Sequence, residues 1–226
     1  MTVIVAIDGP SGVGKSSASK AVARALGLPH IDTGAMYRAI ALKALERGIP
    51  LGAESQLAEM AGSTEIDFQP AAVGPPRLLL DGADVTGRIR TQEISMAASA
   101  VSAVPAVRRV LVSLQQQMGR RNGGVLEGRD IGTKVFPETP FKFFLTAGPQ
   151  VRADRRHREL LERGVEESRE KVLGEMLARD EQDSTRSDSP LTCDQSYVLI
   201  DTSELSLEQV VDRIVASVRE RMTSLS

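Results

Sequence analysis

Val3-Ile4-Val5-Ala6-Ile7-Asp8-Gly9-Pro10-Ser11-Gly12-Val13-Gly14-Lys15-Ser16 is the stretch whose reading decides the fold. Val3 to Ile7 form an apolar, β-branched run that reads as a buried strand. Gly9 to Ser16 fit G-x-x-x-x-G-K-[ST], a spacing that lets a backbone wrap an anion. Residues 17–26 carry an Ala-rich helical pattern, and Gly27 stops it. Gly9, Gly12 and Gly14 allow a tight turn with successive N–H groups facing inward. The N-terminus of the following helix adds partial positive charge behind them. Lys15 is placed to reach the β- and γ-phosphates of a nucleotide, and the Ser16 hydroxyl to bind Mg²⁺. A Gly-rich turn that binds nothing is the plainer alternative; strand and helix on either side count against it.

Four further apolar runs read as buried strands, at 30–31, 125–127, 141–145 and 197–201, with helical patterns between them. Such alternation predicts an α/β fold, a five-stranded parallel sheet flanked by helices. The last helix is the clearest. Leu207, Val210, Val211, Ile214, Val215, Val218 and Met222 follow the i, i+3, i+4, i+7 stripe, and Ser206 with Gln209 has capping-box spacing. Two segments stand outside this core. Residues 64–90 alternate in short runs (Ile66, Phe68, Leu78, Leu80, Val85), with Pro75-Pro76 and Asp81-Gly82 as turn signals, and read as a small antiparallel β insertion. Residues 152–190 are densely charged with mixed sign, which fits a solvated helical hairpin, a mobile lid, or both.

Composition bounds the function. Of 226 residues, 41% are hydrophobic but only 3% aromatic, and Trp is absent, so the core falls to Val, Leu, Ile and Ala. Lys and Arg total 28 against 30 Asp and Glu, a net charge of −2, which argues against a nucleic-acid surface spread over the whole domain. Cys193 has no partner for an internal disulfide and no His near it in sequence, and reads as an inert residue of a reducing compartment. No apolar run approaches the roughly 18 residues of a membrane span. Met1-Thr2-Val3 leads directly into the first strand. The expectation is a cytoplasmic monomer with no signal peptide and no membrane or nucleic-acid partner.

Charged clusters add candidates. Asp32-Thr33-Gly34-Ala35-Met36-Tyr37-Arg38 follows the second strand, where open parallel sheets bind ligands; an ordinary helix cap by Asp32 or Thr33 is the competing explanation. Leu126-Glu127-Gly128-Arg129-Asp130 ends the third. Glu127 is the candidate carboxylate for Mg²⁺, directly or through water. Arg152, Arg155 and Arg156 share one helical face, with Glu159 placed to pair with Arg155. Arg179, Asp183 and Arg186 repeat that spacing, so two arginine faces of a hairpin could close over phosphates.

Taken together, these strings resemble the bacterial cytidylate kinases, a family of P-loop nucleoside monophosphate kinases. The resemblance rests on Ile7-Asp8-Gly9-Pro10-Ser11-Gly12, on residues 32–38, and on Ile89-Arg90-Thr91-Gln92-Glu93-Ile94. Gly128-Arg129-Asp130-Ile131-Gly132-Thr133, Val135-Phe136-Pro137, and Arg152 with Arg155-Arg156 complete it, over residues 3–222. It implies a single kinase domain over 1–226 with the P-loop NTPase fold. The core would span about 1–35, 90–150 and 190–226; the monophosphate-binding region, with its β insertion, about 36–90; and the helical lid about 151–189. It implies transfer of the γ-phosphoryl group of ATP to CMP or dCMP, with Mg²⁺. Gly9, Pro10, Ser11, Gly12, Val13, Gly14, Lys15, Ser16 and Ser17 would hold ATP, and Ser16 and Glu127 the metal. Thr33, Tyr37, Arg38, Ser99, Arg108, Arg129, Asp130, Asp183 and Arg186 would hold the acceptor. Arg38, Arg129 and Arg108 would meet its phosphate; Ser99, Arg108 and Asp130 its ring. Lys15, Arg129, Arg152, Arg156 and Arg179 would act on the transferring group. Thr33 and Glu127 stand where the family leads one to expect Ser and Asp.

Two other readings are weighed. One is a P-loop kinase of another small acceptor, such as UMP or a shikimate-like molecule; the β insertion and Ile89-Arg90-Thr91-Gln92 count against it. The other is a GTP-dependent switch, for which Asp84-Val85-Thr86-Gly87 fits D-x-x-G; no N-K-x-D signature accompanies it. The turn at Thr202-Ser203-Glu204 is the candidate for the adenine.

Overall fold

A computed structural model of the chain describes residues 2–69 and 76–224. The elements are β1 (Ile4–Asp8), α1 (Lys15–Leu26), β2 (His30–Asp32), α2 (Thr33–Glu46), α3 (Glu54–Gly62), β3 (Ile66–Gln69), β4 (Arg77–Leu80), β5 (Ala83–Asp84), α4 (Gln92–Ser102), α5 (Pro105–Asn122), β6 (Gly124–Gly128), β7 (Phe141–Thr146), α6 (Pro149–Glu162), α7 (Arg169–Thr185), β8 (Val198–Asp201) and α8 (Leu207–Ser224). Five strands form one sheet in the order β2-β6-β1-β7-β8. The ladders of β1 with β6, β1 with β7 and β7 with β8 are parallel. All five expected strands are present, within a residue or two of the expected limits. As an apolar central strand must, β1 buries Val5, Ala6 and Ile7 completely.

The chain divides into two compact units. One runs to His30 and resumes at Asn122. Its core joins Val5, Ile7 and Phe143 of the sheet to Val22 of α1 and Ile214 and Val218 of α8. Of the stripe expected of the last helix, α8 buries Val210, Ile214, Val215 and Val218 and half-buries Val211, while Leu207 and Met222 at its two ends are exposed. Its capping box is closed both ways: Ser206 N–H donates to Gln209 Oε1 at 2.9 Å, and Gln209 N–H to Ser206 Oγ at 3.2 Å. Helices α6 and α7 pair through a small apolar cluster of their own, Ala153, Leu160, Val172 and Met176.

The other unit is Ile31–Arg121. Here α2, α4 and α5 share a core of Met36, Ile40, Val101 and Leu111 with the antiparallel sheet β3-β4-β5. The sheet is the expected β insertion. Its β4–β5 turn is the anticipated Asp81-Gly82, with Asp81 at φ 49°. The Pro75 turn signal lies outside the described residues. The D-x-x-G string is a local turn: Asp84 Oδ1 accepts from the N–H and the hydroxyl of Thr86, at 2.9 and 2.6 Å.

Among the described residues no single helix is long and apolar enough to cross a membrane. Cys193 is exposed, and partial burial and the Asp194 carboxylate hold its thiol above the ordinary range, the opposite of an activated nucleophile.

Candidate active site

The site begins where β1 ends. Gly9 has φ 146°, and a Cβ there would lie 2.1 Å from the Leu145 carbonyl oxygen, so no other residue fits. The loop turns through Gly12 and Gly14, at φ 76° and 90°, into α1. The helix starts at Lys15 rather than at residue 17. Lys15 and Ser16 therefore sit in its first turn, where backbone N–H groups lack intrahelical partners.

Lys15 is buried, and its Nζ donates to the Pro10 carbonyl at 2.5 Å. Burial lowers its pKa well below the ordinary lysine value; the nearby Arg129 and Arg179 charges push the same way, against Glu127 and Asp8. An anion in the loop would relieve both burdens. Ser11 Oγ in the same loop is buried and has no hydrogen-bond partner among the described residues. These features fit a bound polyphosphate.

Parallel pairing places Ile7 opposite Glu127 and Asp8 opposite Gly128. The third of the expected strands thus lies beside the first. Ser16 Oγ donates to Glu127 Oε2 at 2.7 Å, so the hydroxyl and the carboxylate proposed for a cation are adjacent. No cluster of three or more His, Cys, Asp or Glu that could hold a metal occurs among the described residues. One hydroxyl and one carboxylate suit Mg²⁺, which keeps water and takes phosphate oxygens for the remainder.

The arginines are held by carboxylates and carbonyls. Arg129 Nε donates to Asp183 Oδ2 at 2.8 Å. Burial pushes Asp183 up, but the Arg129, Arg179 and Arg186 charges outweigh it and hold the carboxyl below the ordinary range. Arg186 lies 3.7 Å from both Asp130 and Asp183. Arg152 is buried, donating to the carbonyls of Ala147 at 3.0 Å and Ser11 at 3.3 Å and pairing with Asp180. Arg152 thus touches the phosphate loop. Arg156 instead pairs with Glu159 at 2.9 Å. Glu159 therefore pairs with Arg156 and Arg163 rather than with Arg155, because Arg155 is taken by Thr202, at 3.0 Å to its hydroxyl and 2.6 Å to its carbonyl. Thr202 also donates to the Val13 carbonyl at 3.0 Å, which sets the 202–204 turn against the loop.

In the second unit, Asp32 is the cap of α2. Its Oδ1 accepts from Ala35 N–H at 2.9 Å, while Oδ2 accepts from Arg38 at 2.8 Å. The capping explanation of this segment holds, and the same carboxylate also orients Arg38. Arg38 Nε is buried with no hydrogen-bond partner among the described residues, which fits an oxyanion still to be bound. Thr33 is buried at the start of α2. Arg108 is buried with its guanidinium 5.6 Å from the Tyr37 ring centre, and donates to the Ser102 carbonyl at 3.3 Å. Ser99 lies on α4.

Sequence reasoning missed Asp8, which it used only within a matching string. Asp8 is fully buried. Its Oδ1 accepts from Ile131 N–H at 2.9 Å, and its Oδ2 from Gly132 N–H at 2.9 Å and the Tyr197 hydroxyl at 2.8 Å. Burial outweighs these donors and pushes its pKa up to about 6. Asp8 thereby fixes the turn that follows Arg129 and Asp130. Gly132 is needed there, since a Cβ would lie 2.7 Å from the Tyr197 oxygen. A carboxylate closing an apolar strand run is the signal that could have flagged it.

A parallel sheet with a glycine loop, Lys15 and Ser16 at the end of its central strand defines a P-loop phosphotransferase core. A solved structure of an uncharacterized protein from Eubacterium ventriosum shares the fold, with TM-score 0.53 and 11% identity over 97% of this chain and 99% of that one. The family model for cytidylate kinase matches residues 5–220. A cytidylate kinase of Caldanaerobacter subterraneus is 46% identical over 220 residues, 97% of this chain and 96% of that protein. One from Streptomyces avermitilis is 48% identical over 223 residues, 97% of this chain and 94% of that protein. The chain belongs to the cytidylate kinase family, and is an ATP-dependent nucleoside monophosphate kinase.

Proposed function

We propose that the protein transfers the γ-phosphoryl group of ATP to the phosphate of CMP or dCMP, giving ADP and CDP or dCDP, with Mg²⁺. The observation that carries this reading is the buried Lys15 beside Arg129 and Arg179, in a glycine loop flanked by the Ser16–Glu127 pair. Gly9 to Ser17 would bind the phosphates of ATP. Ser16 and Glu127 would hold Mg²⁺, which when bound neutralises phosphate charge.

An oxygen of the acceptor phosphate attacks the γ-phosphorus in line as the bond to the β,γ-bridging oxygen breaks, and ADP leaves with that oxygen. No protein nucleophile is needed. Positioning and charge stabilisation supply the rate. Lys15, Arg129, Arg152 and Arg179 would neutralise the oxygens of the transferring group. Arg156 would join them only by leaving Glu159. Arg38 and Arg108 would take the acceptor phosphate, with Thr33, Tyr37 and Ser99 around the nucleotide and Asp183 and Arg186 near its sugar. Residues 151–189 would act as a lid that excludes water and so suppresses ATP hydrolysis. Their own small apolar cluster suits a segment that moves as a piece.

Base choice would rest on Asp130. Its carboxylate can accept from the 4-amino group of cytosine, whereas uracil would present a carbonyl to it. The protein would work in the cytoplasm as a monomer. Steady-state ADP formation with CMP, dCMP, UMP, AMP, GMP and shikimate as separate acceptors tests the reading. Fast turnover with CMP and dCMP alone is expected. Fast turnover with shikimate, or none that depends on an acceptor, overturns it.

A further inference from the structure

We infer that His30 is the positioning residue for the Glu127 carboxylate, and that it acts through a proton on Nε2. This rests on the proposed role of Ser16 and Glu127 in holding Mg²⁺. Ring and carboxylate are both nearly buried, and Nε2 lies 2.9 Å from Glu127 Oε1. Nε2 also lies 3.2 Å from Ser19 Oγ. The Ser19 hydroxyl proton is committed elsewhere, to the Lys15 carbonyl at 2.6 Å. Ser19 Oγ therefore faces the ring as an acceptor, and a carboxylate oxygen can only accept. Two acceptors on one ring nitrogen require that nitrogen to carry the hydrogen, so Nε2–H donates to both.

The clamp is anchored at each end. His30 opens β2, and the Pro29 carbonyl before it accepts from Val125 N–H on β6 at 2.8 Å, fixing the ring beside the strand that ends in Glu127. Ser19 and Lys15 belong to α1, the helix that carries Ser16. Glu127 is thus bound on both oxygens, Oε1 by His30 and Oε2 by Ser16. A cation recruited by Ser16 and Oε2 would compete with the second contact and leave the first in place. Glutamate has one more torsion than aspartate, so a carboxylate this long needs such a restraint to keep one rotamer. Outer-shell partners of this kind typically carry about 10- to 100-fold of metal affinity.

The test reads binding, not turnover. Affinity for a ribose-labelled fluorescent ATP analogue is measured in EDTA and in MgCl₂ without acceptor, and the ratio of the two is the metal-dependent gain. For H30A we expect affinity in EDTA close to wild type and a gain reduced about 10-fold or more. H30Q places an amide N–H near the Nε2 position and should keep the gain within about threefold, while H30N, too short to do so, should lose it. If H30A does not fold, the H30Q and H30N pair carries the same comparison. Wild-type gain in H30A or H30N, or equal loss in H30Q and H30N, overturns the role assigned to Nε2–H. No gain in the wild-type protein overturns the Ser16–Glu127 metal assignment itself, a distinct result.

Discussion

Replacing Asp8 with asparagine should change how stability depends on pH. The folded protein holds the Asp8 pKa near 6 against an ordinary 3.8. A raised folded value means that the native state binds the proton more tightly than the unfolded chain. The associated stability is therefore fully present below about pH 3.8 and lost as pH rises through 6. The gap is worth about 3 kcal/mol, at roughly 1.4 kcal/mol per tenfold. Asp8 is fully buried, so no solvent screening reduces that figure. Other groups act in reverse: Asp183 and Asp81, held below their ordinary range, withdraw stability as pH falls. The clean quantity is thus the difference between wild type and D8N. The variant also loses one oxygen acceptor among three donors, but that offset is nearly constant with pH. Urea unfolding followed by far-ultraviolet circular dichroism suits a chain without tryptophan. The stability of wild type minus that of D8N should fall by about 2 kcal/mol from pH 4 to pH 7, most of the full gap. A flat difference, or one that rises with pH, refutes the claim that burial dominates over the three donors.

Three further outcomes follow from the same geometry. Lys15→Ala should lower turnover about 10²-fold or more, because it removes a preorganised charge aimed at the transferring group; near-normal turnover in a coupled ADP assay contradicts its role. Gly9→Ala should weaken or abolish ATP binding and lower the melting temperature, since its Cβ would collide with the Leu145 carbonyl; wild-type values of both contradict the packing. Asp130→Asn should narrow the ratio of kcat/KM for CMP over UMP about 10-fold or more, as a side chain that both donates and accepts meets either base edge. An unchanged ratio contradicts the assignment of base choice to Asp130.

Much of the frame was legible because its determinants are local. The Val3 to Ile7 run, the glycine spacing and the stripe of α8 each fall within about twenty consecutive residues. The Ser206–Gln209 capping box was readable for the same reason. The contacts that finish the site are not local. Asp8 meets Gly132 and Tyr197 across 124 and 189 positions, and His30 meets Glu127 across 97. No periodicity marks such pairs. In the sequence His30 reads as a strand residue and Tyr197 as the edge of an apolar run. The pairing of Glu159 has a similar origin. Spacing alone allowed Glu159 to pair with Arg155, but Thr202, 47 positions away, competes for that guanidinium and leaves Glu159 to Arg156 and Arg163.

The most direct measurement follows the phosphoryl group itself. The protein is incubated with MgCl₂, CMP and ATP labelled in its γ-phosphoryl group, and the products are separated. The account predicts that the label appears in the β-phosphoryl group of CDP in equal amount to the ADP formed, with little in inorganic phosphate. Label released as inorganic phosphate at a rate indifferent to CMP would contradict it.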